Sequence, residues 1–280
     1  VLDNSGRKHK GVLNGQDLAG WEATYEAPLT YHYAGLEIGK CGPWSQGPVQ
    51  LQTLALLNEM GVADWNPVST DFVHGVTEAL KLAFADREAY YGDPDFVKVP
   101  LKQLLSREYN RERSKEISDR SSLELRPGKI SGFEVRMPAF DSSGRGDERF
   151  SAMGIGEPTV SKKGETRGDT CHVDVVDRWG NMVSATPSGG WLQSSPVIPE
   201  LGFCLNSRAQ MFWLQEGLPA TLAPGKRPRT TLTPSMALRD GKGYLAYGTP
   251  GGDQQDPVSY THLRAHETRE DRGWRGGGGK

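Results

Sequence analysis

The 280-residue sequence predicts an α+β fold, with helices in its first half and antiparallel hairpins in its second. Residues 47–91 contain two stretches in which apolar side chains recur at helical spacing. Residues 171–186 and 235–247 instead read as pairs of short strands with turn residues between them. Residues 126–168 lose this periodicity and are rich in Gly, Ser, Pro and charged residues, as expected of a linker between the two halves.

The composition permits a hydrophobic core and disfavours several classes of protein. No run of 18 apolar residues is present, so no membrane span is predicted. The formal net charge of −2 argues against a nucleic-acid partner. The three cysteines (Cys41, Cys171 and Cys204) are odd in number and lack CxxC spacing, which disfavours a disulfide framework or a structural zinc site. We predict no cofactor.

The first elements are short, and a longer helix follows them. Residues 17–22 are interpreted as a helical turn, and residues 24–38 as a hairpin of aromatic and β-branched residues. Pro48 is suited to the first position of a helix, and Gly61 to its end.

A second long helix and a third, charged helix come next. The loop at residues 66–70 carries a capping residue for a helix that ends near residues 91–92. Ser106 begins the third helix, whose many Arg and Glu side chains are interpreted as a solvated face.

The second half of the chain is predicted to form hairpins. Residues 171–176 alternate as a half-buried strand does, residues 178–181 supply a turn, and residues 182–186 return as a strand. Residues 202–206 predict a further short strand, and the Asp240–Gly241 dipeptide predicts the turn of a last hairpin.

Thr170 stands at the start of the first of these hairpins. One reading is a surface Thr that caps a strand. The other is that the Asp169–Thr170 bond is cut, which makes Thr170 a new N-terminus with its own base. An α-amino group titrates near pH ~7.7–8, so it can accept the hydroxyl proton directly or through a water. This feature alone leaves both readings open.

Four motifs in the same order resemble the γ-glutamyltransferase (glutathione hydrolase) family of N-terminal-nucleophile hydrolases. They lie at residues 85–87 with 91–96, at 169–177 with 180–181, at 224–234 and at 248–252, and the resemblance covers most of residues 10–255. The family has an αββα sandwich, and its precursor cuts itself before a Thr. The resemblance therefore implies autocleavage between Asp169 and Thr170.

The resemblance also implies how the chain is divided. Residues 1–169 would be the C-terminal part of the large subunit, and residues 170–256 the N-terminal part of the small subunit within the same structural domain. Residues 257–280 resemble translated adapter read-through, so we expect a non-native tail and a fragment truncated at both ends. The compartment stays open between cytoplasm and periplasm.

The implied activity is hydrolysis or transfer of γ-glutamyl amides such as glutathione. The Thr forms an acyl-enzyme and passes the acyl group to water or to an amino acceptor. Two alternatives stay open. One is a family acylase for a different amide, with a cephalosporin-type acyl group or a small dicarboxylic acid. The other is an inactive fragment that only folds or binds.

Five further residues take roles by resemblance. The backbone N–H groups of Gly251 and Gly252 would form an oxyanion hole, in which one donor is worth ~10²–10³ in turnover. Thr230 and Thr231 stand where the family has two Ser residues that hold the substrate carboxylate. Ser188 matches a hydroxyl residue that supports the amine of the nucleophile.

The sequence departs from the family where the α-ammonium of the substrate is held. Arg208 and Met211 stand where an amide and a carboxylate are expected, and Gly190 replaces a polar side chain. Arg208 would repel an ammonium group. We therefore expect it to bind a second carboxylate of the substrate instead.

A metal site is not predicted. His172 and Asp174 share one face of the predicted strand, but two ligands are too few for a zinc site.

Overall fold

The computed structural model describes residues 6–8, 13–139, 170–189, 197–261 and 263, and it confirms the predicted α+β class. The helices are α1 (Gly15–Ala19), α2 (Gly47–Glu59), α3 (Thr70–Tyr90), α4 (Leu101–Leu104) and α5 (Arg107–Ser114). The strands are β1 (Leu29–Tyr33), β2 (Leu36–Lys40), β3 (Val173–Val176), β4 (Met182–Ala185), β5 (Val197–Ile198), β6 (Phe203–Cys204), β7 (Ser235–Arg239) and β8 (Lys242–Tyr247).

The long helices begin and end at the predicted signals. Pro48 lies in the first turn of α2, and Gly61 follows that helix with a φ of +68°, a conformation that glycine adopts at little cost. The hydroxyl of Ser69 accepts a hydrogen bond of 3.2 Å from the backbone N–H of Phe72, which caps α3.

The third helix, α5, is capped by Ser106 as predicted, but its charges are not all solvated. Arg113 is almost fully buried and pairs with Asp86 of α3 at 3.4 Å, and Asn110 is fully buried. The interpretation as a solvated face was wrong here because α5 packs against α2, so its inner face carries polar groups that find partners in the interior.

A four-stranded antiparallel sheet in the order β1-β2-β7-β8 joins the two halves of the chain. Strand β2 is central, because it pairs with β1 on one side and with β7 on the other. Helix α2 packs against β1 and β2 and also against α3. The core lies between these layers and includes Leu36, Ile38, Leu51, Leu54, Leu57, Leu82 and Ala237.

The predicted hairpin around Thr170 is present as β3 and β4, joined by a turn. The Asp177 carboxylate accepts the backbone N–H groups of Trp179 and Asn181, at 2.8 and 2.9 Å, which closes the turn. The prediction of a half-buried strand was wrong, since every residue of β3 is exposed. The hairpin meets β8 and most of β4 is half-buried, but in the described part of the chain no layer covers β3.

Two glycines let the β3–β4 hairpin lie close to β8. A Cβ atom added at Gly243 would clash with the sulfur of Met182, and one added at Gly248 would clash with the imidazole of His172. Both glycines therefore mark places where the two elements approach more closely than a side chain allows.

Several predictions about organisation are not tested. Residues 140–169, which include Asp169, and residues 190–196 lie outside the described part. Residues 255–261 are helical, and Tyr260 and Leu263 pack in the core. Three expectations therefore stay predictions: a non-native tail that begins at residue 257, the division into a large and a small subunit, and the four-layer αββα sandwich. None of the helices in the described ranges has the length and apolar character that a membrane span requires.

Candidate active site

Thr170 and Ser188 face each other across the opening of the hairpin. The hydroxyl of Thr170 donates a hydrogen bond of 3.0 Å to the Ser188 hydroxyl oxygen. Strands β3 and β4 pair Val173 with Ala185, and the same register continued outward brings residue 170 opposite residue 188. The sequence-predicted nucleophile and its predicted supporting hydroxyl are thus brought together by an ordinary antiparallel register.

The imidazole of His172, two residues after Thr170, is held by two neighbouring side chains. One ring nitrogen, Nδ1, lies 2.8 Å from Oγ1 of Thr186, and the other, Nε2, lies 2.7 Å from Oδ2 of Asp174. The backbone N–H of Cys171 donates to the Pro187 carbonyl at 3.1 Å. Because both ring nitrogens have partners, the imidazole is fixed beside Thr170.

A cavity of about 950 Å³ opens beside the hairpin. Three of the predicted site residues, Ser188, Arg208 and Thr230, line it. Its volume is at the upper end of the range of ~300–1,000 Å³ typical of small-molecule sites. Thr170, Gly251 and Gly252 do not line it, and Thr170 is joined to the lining only by its hydrogen bond to Ser188.

The wall of the cavity includes a buried lysine. The ammonium of Lys40 donates to the Thr233 carbonyl at 3.0 Å and to the Ser235 hydroxyl at 2.6 Å, and it pairs with Asp256 at 3.1 Å. Burial lowers the pKa of Lys40, and Asp256 opposes that shift. These contacts connect β2 and β7, which line the cavity, with the segment after Gly252, which does not.

The predicted carboxylate-binding pair, Thr230 and Thr231, is divided between two environments. The backbone N–H of Thr230 donates to the Trp44 carbonyl at 3.0 Å, and its hydroxyl oxygen accepts the N–H of Leu232 at 3.2 Å. Thr231 is fully buried and does not line the cavity. The geometry therefore makes Thr230 the member of the pair that can meet a ligand.

Arg208 lies close to the Ser188 loop. It begins a 3₁₀ helix (Arg208–Met211), is 6% exposed, and lines the cavity. The backbone N–H of the preceding Ser207 donates to the carbonyl of Gly189 at 2.8 Å. This contact places a guanidinium in the same cavity as the Ser188 hydroxyl. Met211 is also buried, whereas Gly190 lies outside the described residues.

Gly251 and Gly252 lie on a loop that begins beside the hairpin. The loop leaves β8 at Gly248, which contacts the His172 ring. Gly251 has a φ of +116°, which side-chain-bearing residues rarely adopt, and Gly252 is buried. The Gly252 carbonyl accepts the N–H of Gln255 at 3.2 Å. The loop backbone at Gly251 therefore has a conformation that favours glycine over other residues.

A charged cluster joins this loop to the interior, and it consists of the buried Arg87, Glu88 and Arg229 with the half-buried Asp253. Arg87 donates to Asp253 at 2.8 Å and to Glu88 at 2.7 Å, and Arg229 donates to the same Glu88 oxygen. Burial would raise the pKa values of the Glu88 and Asp253 carboxyls, but the guanidiniums lower both below their usual values.

The sequence motifs included Arg87 and Arg229 without assigning them roles, and they missed Glu88 and Asp253. Residues 88 and 229 are 141 positions apart, so no local pattern connects them. The available signal was a run of three charged residues, 86–88, inside an otherwise apolar stretch of α3. Buried charges require partners, so such a run indicates an internal ion-pair network.

Comparison with known proteins gives consistent results. A family model described as gamma-glutamyltranspeptidase matches residues 2–266. A glutathione hydrolase proenzyme of Bacillus subtilis subsp. natto is 30% identical over 254 residues, which are 90% of this chain and 41% of that protein. The chain thus spans about two fifths of the length of this relative.

Two solved structures are also similar. The structure of LmbA2991T421A matches with a TM-score of 0.78 and 53% identity, over 99% of this chain and 44% of that one. The crystal structure of cephalosporin acylase from Bacillus halodurans matches with a TM-score of 0.69 and 26% identity, over 94% of this chain and 41% of that one.

Proposed function

Because the chain belongs to the gamma-glutamyltranspeptidase family, we propose that it forms part of a self-processing amide hydrolase in which Thr170 is the nucleophile. The observation that carries the proposal is the hydrogen bond of 3.0 Å between the Thr170 and Ser188 hydroxyls at the edge of the cavity. In the uncut chain this bond fixes the rotamer of the attacking hydroxyl. The αββα sandwich of the family is the fold that we propose for the whole protein.

Before any turnover, water hydrolyses the Asp169–Thr170 bond, which leaves a carboxylate on Asp169 and frees the α-amino group of Thr170. This amine removes the proton from Oγ1, directly or through a water, while Oγ1 attacks the carbonyl carbon of an amide. The negative charge that develops on the carbonyl oxygen is stabilised by the N–H groups of Gly251 and Gly252. The C–N bond then breaks, and the departing nitrogen takes the proton from the amine.

The acyl-enzyme is resolved by water or by an amino acceptor. The incoming nucleophile gives a proton to the Thr170 amine and attacks the ester carbonyl, and Oγ1 takes that proton back from the amine as the ester C–O bond breaks. The products are the free acid and an amine, or a new amide and an amine. Large and small subunits formed from one precursor are part of the same proposal.

For the substrate we propose γ-glutamyl amides, with an acylase acting on dicarboxylic or cephalosporin-type amides as the second candidate. Arg208 favours the second candidate, because a buried guanidinium in the cavity suits a carboxylate and repels an ammonium group. Thr230 can add a hydrogen bond to the same carboxylate.

The test uses the full-length protein and three anilides. The γ-glutamyl anilide carries an α-ammonium and a carboxylate, the glutaryl anilide lacks only the ammonium, and the butyryl anilide lacks both. We expect the first two to be hydrolysed, glutaryl at least as fast as γ-glutamyl and butyryl most slowly. Arg208→Ala should remove the advantage of glutaryl over butyryl, and Thr170→Ala should abolish every reaction.

The outcomes separate the two parts of the proposal. No hydrolysis of any anilide by the unmutated protein would contradict the amide hydrolase. Equal hydrolysis of glutaryl and butyryl anilides, unchanged in Arg208→Ala, would contradict the carboxylate-binding role of Arg208 and leave the nucleophile unaffected.

A further inference from the structure

We infer that Glu88 is a positioning residue that holds the Gly251–Gly252 loop and the Thr230 segment in one fixed arrangement. It acts through Arg87 on one side and through Arg229 on the other. The inference rests on the proposed function, because it assigns those two segments to the oxyanion and carboxylate ends of one substrate site.

The connection to the glycine loop runs through Asp253, the residue after Gly252. Its carboxylate accepts hydrogen bonds from Arg87 at 2.8 and 3.4 Å. Its backbone carbonyl accepts the Gln46 side-chain amide at 3.2 Å, and the amide oxygen of Gln46 accepts Arg87 at 2.7 Å. Side chain and backbone of residue 253 are thus both held by groups of the helical layer.

The connection to the carboxylate-binding segment runs through Arg229, the residue before Thr230. Arg229 is 5% exposed and donates to Oε1 of Glu88, the same oxygen that accepts Arg87 at 2.7 Å. The next residue is fixed by its N–H bond to the Trp44 carbonyl. Glu88 is therefore the point at which the two connections meet.

The charges of the cluster neutralise one another only when all four side chains are present. Two guanidiniums and two carboxylates lie together, and Arg87, Glu88 and Arg229 are buried. Removing one charge from such a group leaves another buried and uncompensated, which is strongly unfavourable. The neighbouring loops would then move until water or a new partner reaches the remaining charge.

A second carboxylate that bridges two arginines exists away from the cavity, and its two arginines are exposed whereas those of Glu88 are buried. Glu59, at the end of α2, also bridges two arginines, Arg107 and Arg111, at 2.9 and 3.1 Å. The side chains of Glu59 and Glu88 are equally buried, each 7% exposed. Glu59 does not line the cavity, so its variant measures the effect of losing a two-arginine carboxylate without touching the site.

The experiment compares Glu88→Gln, Asp253→Asn and Glu59→Gln in the full-length protein, with anilide hydrolysis and hydrogen exchange as readouts. Misplacing catalytic groups by about 1 Å costs roughly 10²-fold in rate. We expect Asp253→Asn to lower kcat by about 10- to 100-fold with KM close to the unmutated value, because only the oxyanion end moves. Glu88→Gln should lower kcat and also raise KM, and Glu59→Gln should change neither.

Hydrogen exchange tests the inference without relying on activity. In an uncut Thr170→Ala background, Glu88→Gln should accelerate exchange in peptides covering both residues 248–254 and residues 227–233. Asp253→Asn should accelerate exchange in the first peptide alone. If Glu88→Gln does not fold, Arg229→Lys, which keeps the charge, provides the same comparison for the second peptide.

Two results would overturn the inference. One is a Glu88→Gln protein whose kcat, KM and exchange match those of Glu59→Gln. The other is faster exchange across the whole chain, which would show a role in general stability alone. An inactive unmutated protein that still shows the local exchange pattern would contradict the proposed function and leave the positioning role intact.

Discussion

At the scale of single residues, Gly248 and Gly243 control how closely the β3–β4 hairpin approaches β8. Each faces a side chain of the hairpin at a distance that leaves no room for a Cβ atom. The two side chains that an added Cβ atom would meet, His172 and Met182, differ in flexibility. His172 is held at both ring nitrogens, whereas Met182 has a flexible, unbranched side chain.

We predict that Gly248→Ala destabilises the protein by about 1–3 kcal/mol, and that Gly243→Ala costs less because Met182 can move aside. Urea unfolding of both variants measures the difference. In a His172→Ala background the cost of Gly248→Ala should largely disappear. An equal cost with and without the imidazole would show that the clash is not its cause.

The sequence could predict the Thr170–Ser188 contact at this scale, and it could not predict the cluster around Glu88. A two-strand register follows from a turn and an alternating pattern, so residues 170 and 188 become neighbours once the hairpin is recognised. The bond between Glu88 and Arg229 depends on how helix and sheet dock, which no local pattern records.

At the scale of elements, Asp86 joins α3 to α5. Its carboxylate accepts Gln52 at 2.6 Å, Tyr109 at 2.8 Å, the Gly128 N–H at 2.7 Å and Arg113 at 3.4 Å. Capping signals predicted both helices. The burial of Arg113 was missed because a charged helix resembles a solvated one until its partner element is known.

We predict that Asp86→Ala lowers the free energy of unfolding by about 3–5 kcal/mol, because it leaves four buried or half-buried donors without their acceptor and leaves Arg113 only the half-exposed carboxylate of Glu116. Glu59→Ala is the control. Its partners Arg107 and Arg111 are 75% and 54% exposed, so the same measurement should show a loss of at most about 1 kcal/mol. Equal losses in the two variants would contradict the assigned role of Asp86.

At the scale of the whole molecule, Arg227 connects the end of α3 with the segment that leads to Thr230. It donates to Asp93 at 2.9 Å and also pairs with Glu26, and its guanidinium lies over the ring of Trp44. Burial would raise the pKa of the Asp93 carboxyl, but the hydrogen bonds from Arg227 outweigh burial and lower the pKa below its usual value.

This shift predicts the direction of acid sensitivity. A carboxyl whose pKa is lower in the folded state stabilises the fold above the unfolded pKa of about 3.9, and that stabilisation is lost as the pH falls through the folded pKa. We expect Asp93→Asn to be less stable than the unmutated protein at neutral pH, with the difference shrinking below about pH 4. A difference that is constant from neutral to acidic pH would contradict the ion pair.

The sequence also predicted the order of elements along the chain, in which the long helices precede the β3–β4 and β7–β8 hairpins. It did not predict that β3 would be exposed on both faces, because alternation reports which residues can be buried and not which partner covers them.

The intact mass of the full-length protein, measured beside its Thr170→Ala variant, tests the central claim most directly. We predict that the unmutated protein separates into two polypeptides, the smaller of which begins at Thr170, and that the variant stays whole. An unmutated protein that remains a single uncut chain under all conditions would contradict the claim, because Thr170 would then lack the free amine that serves as its base.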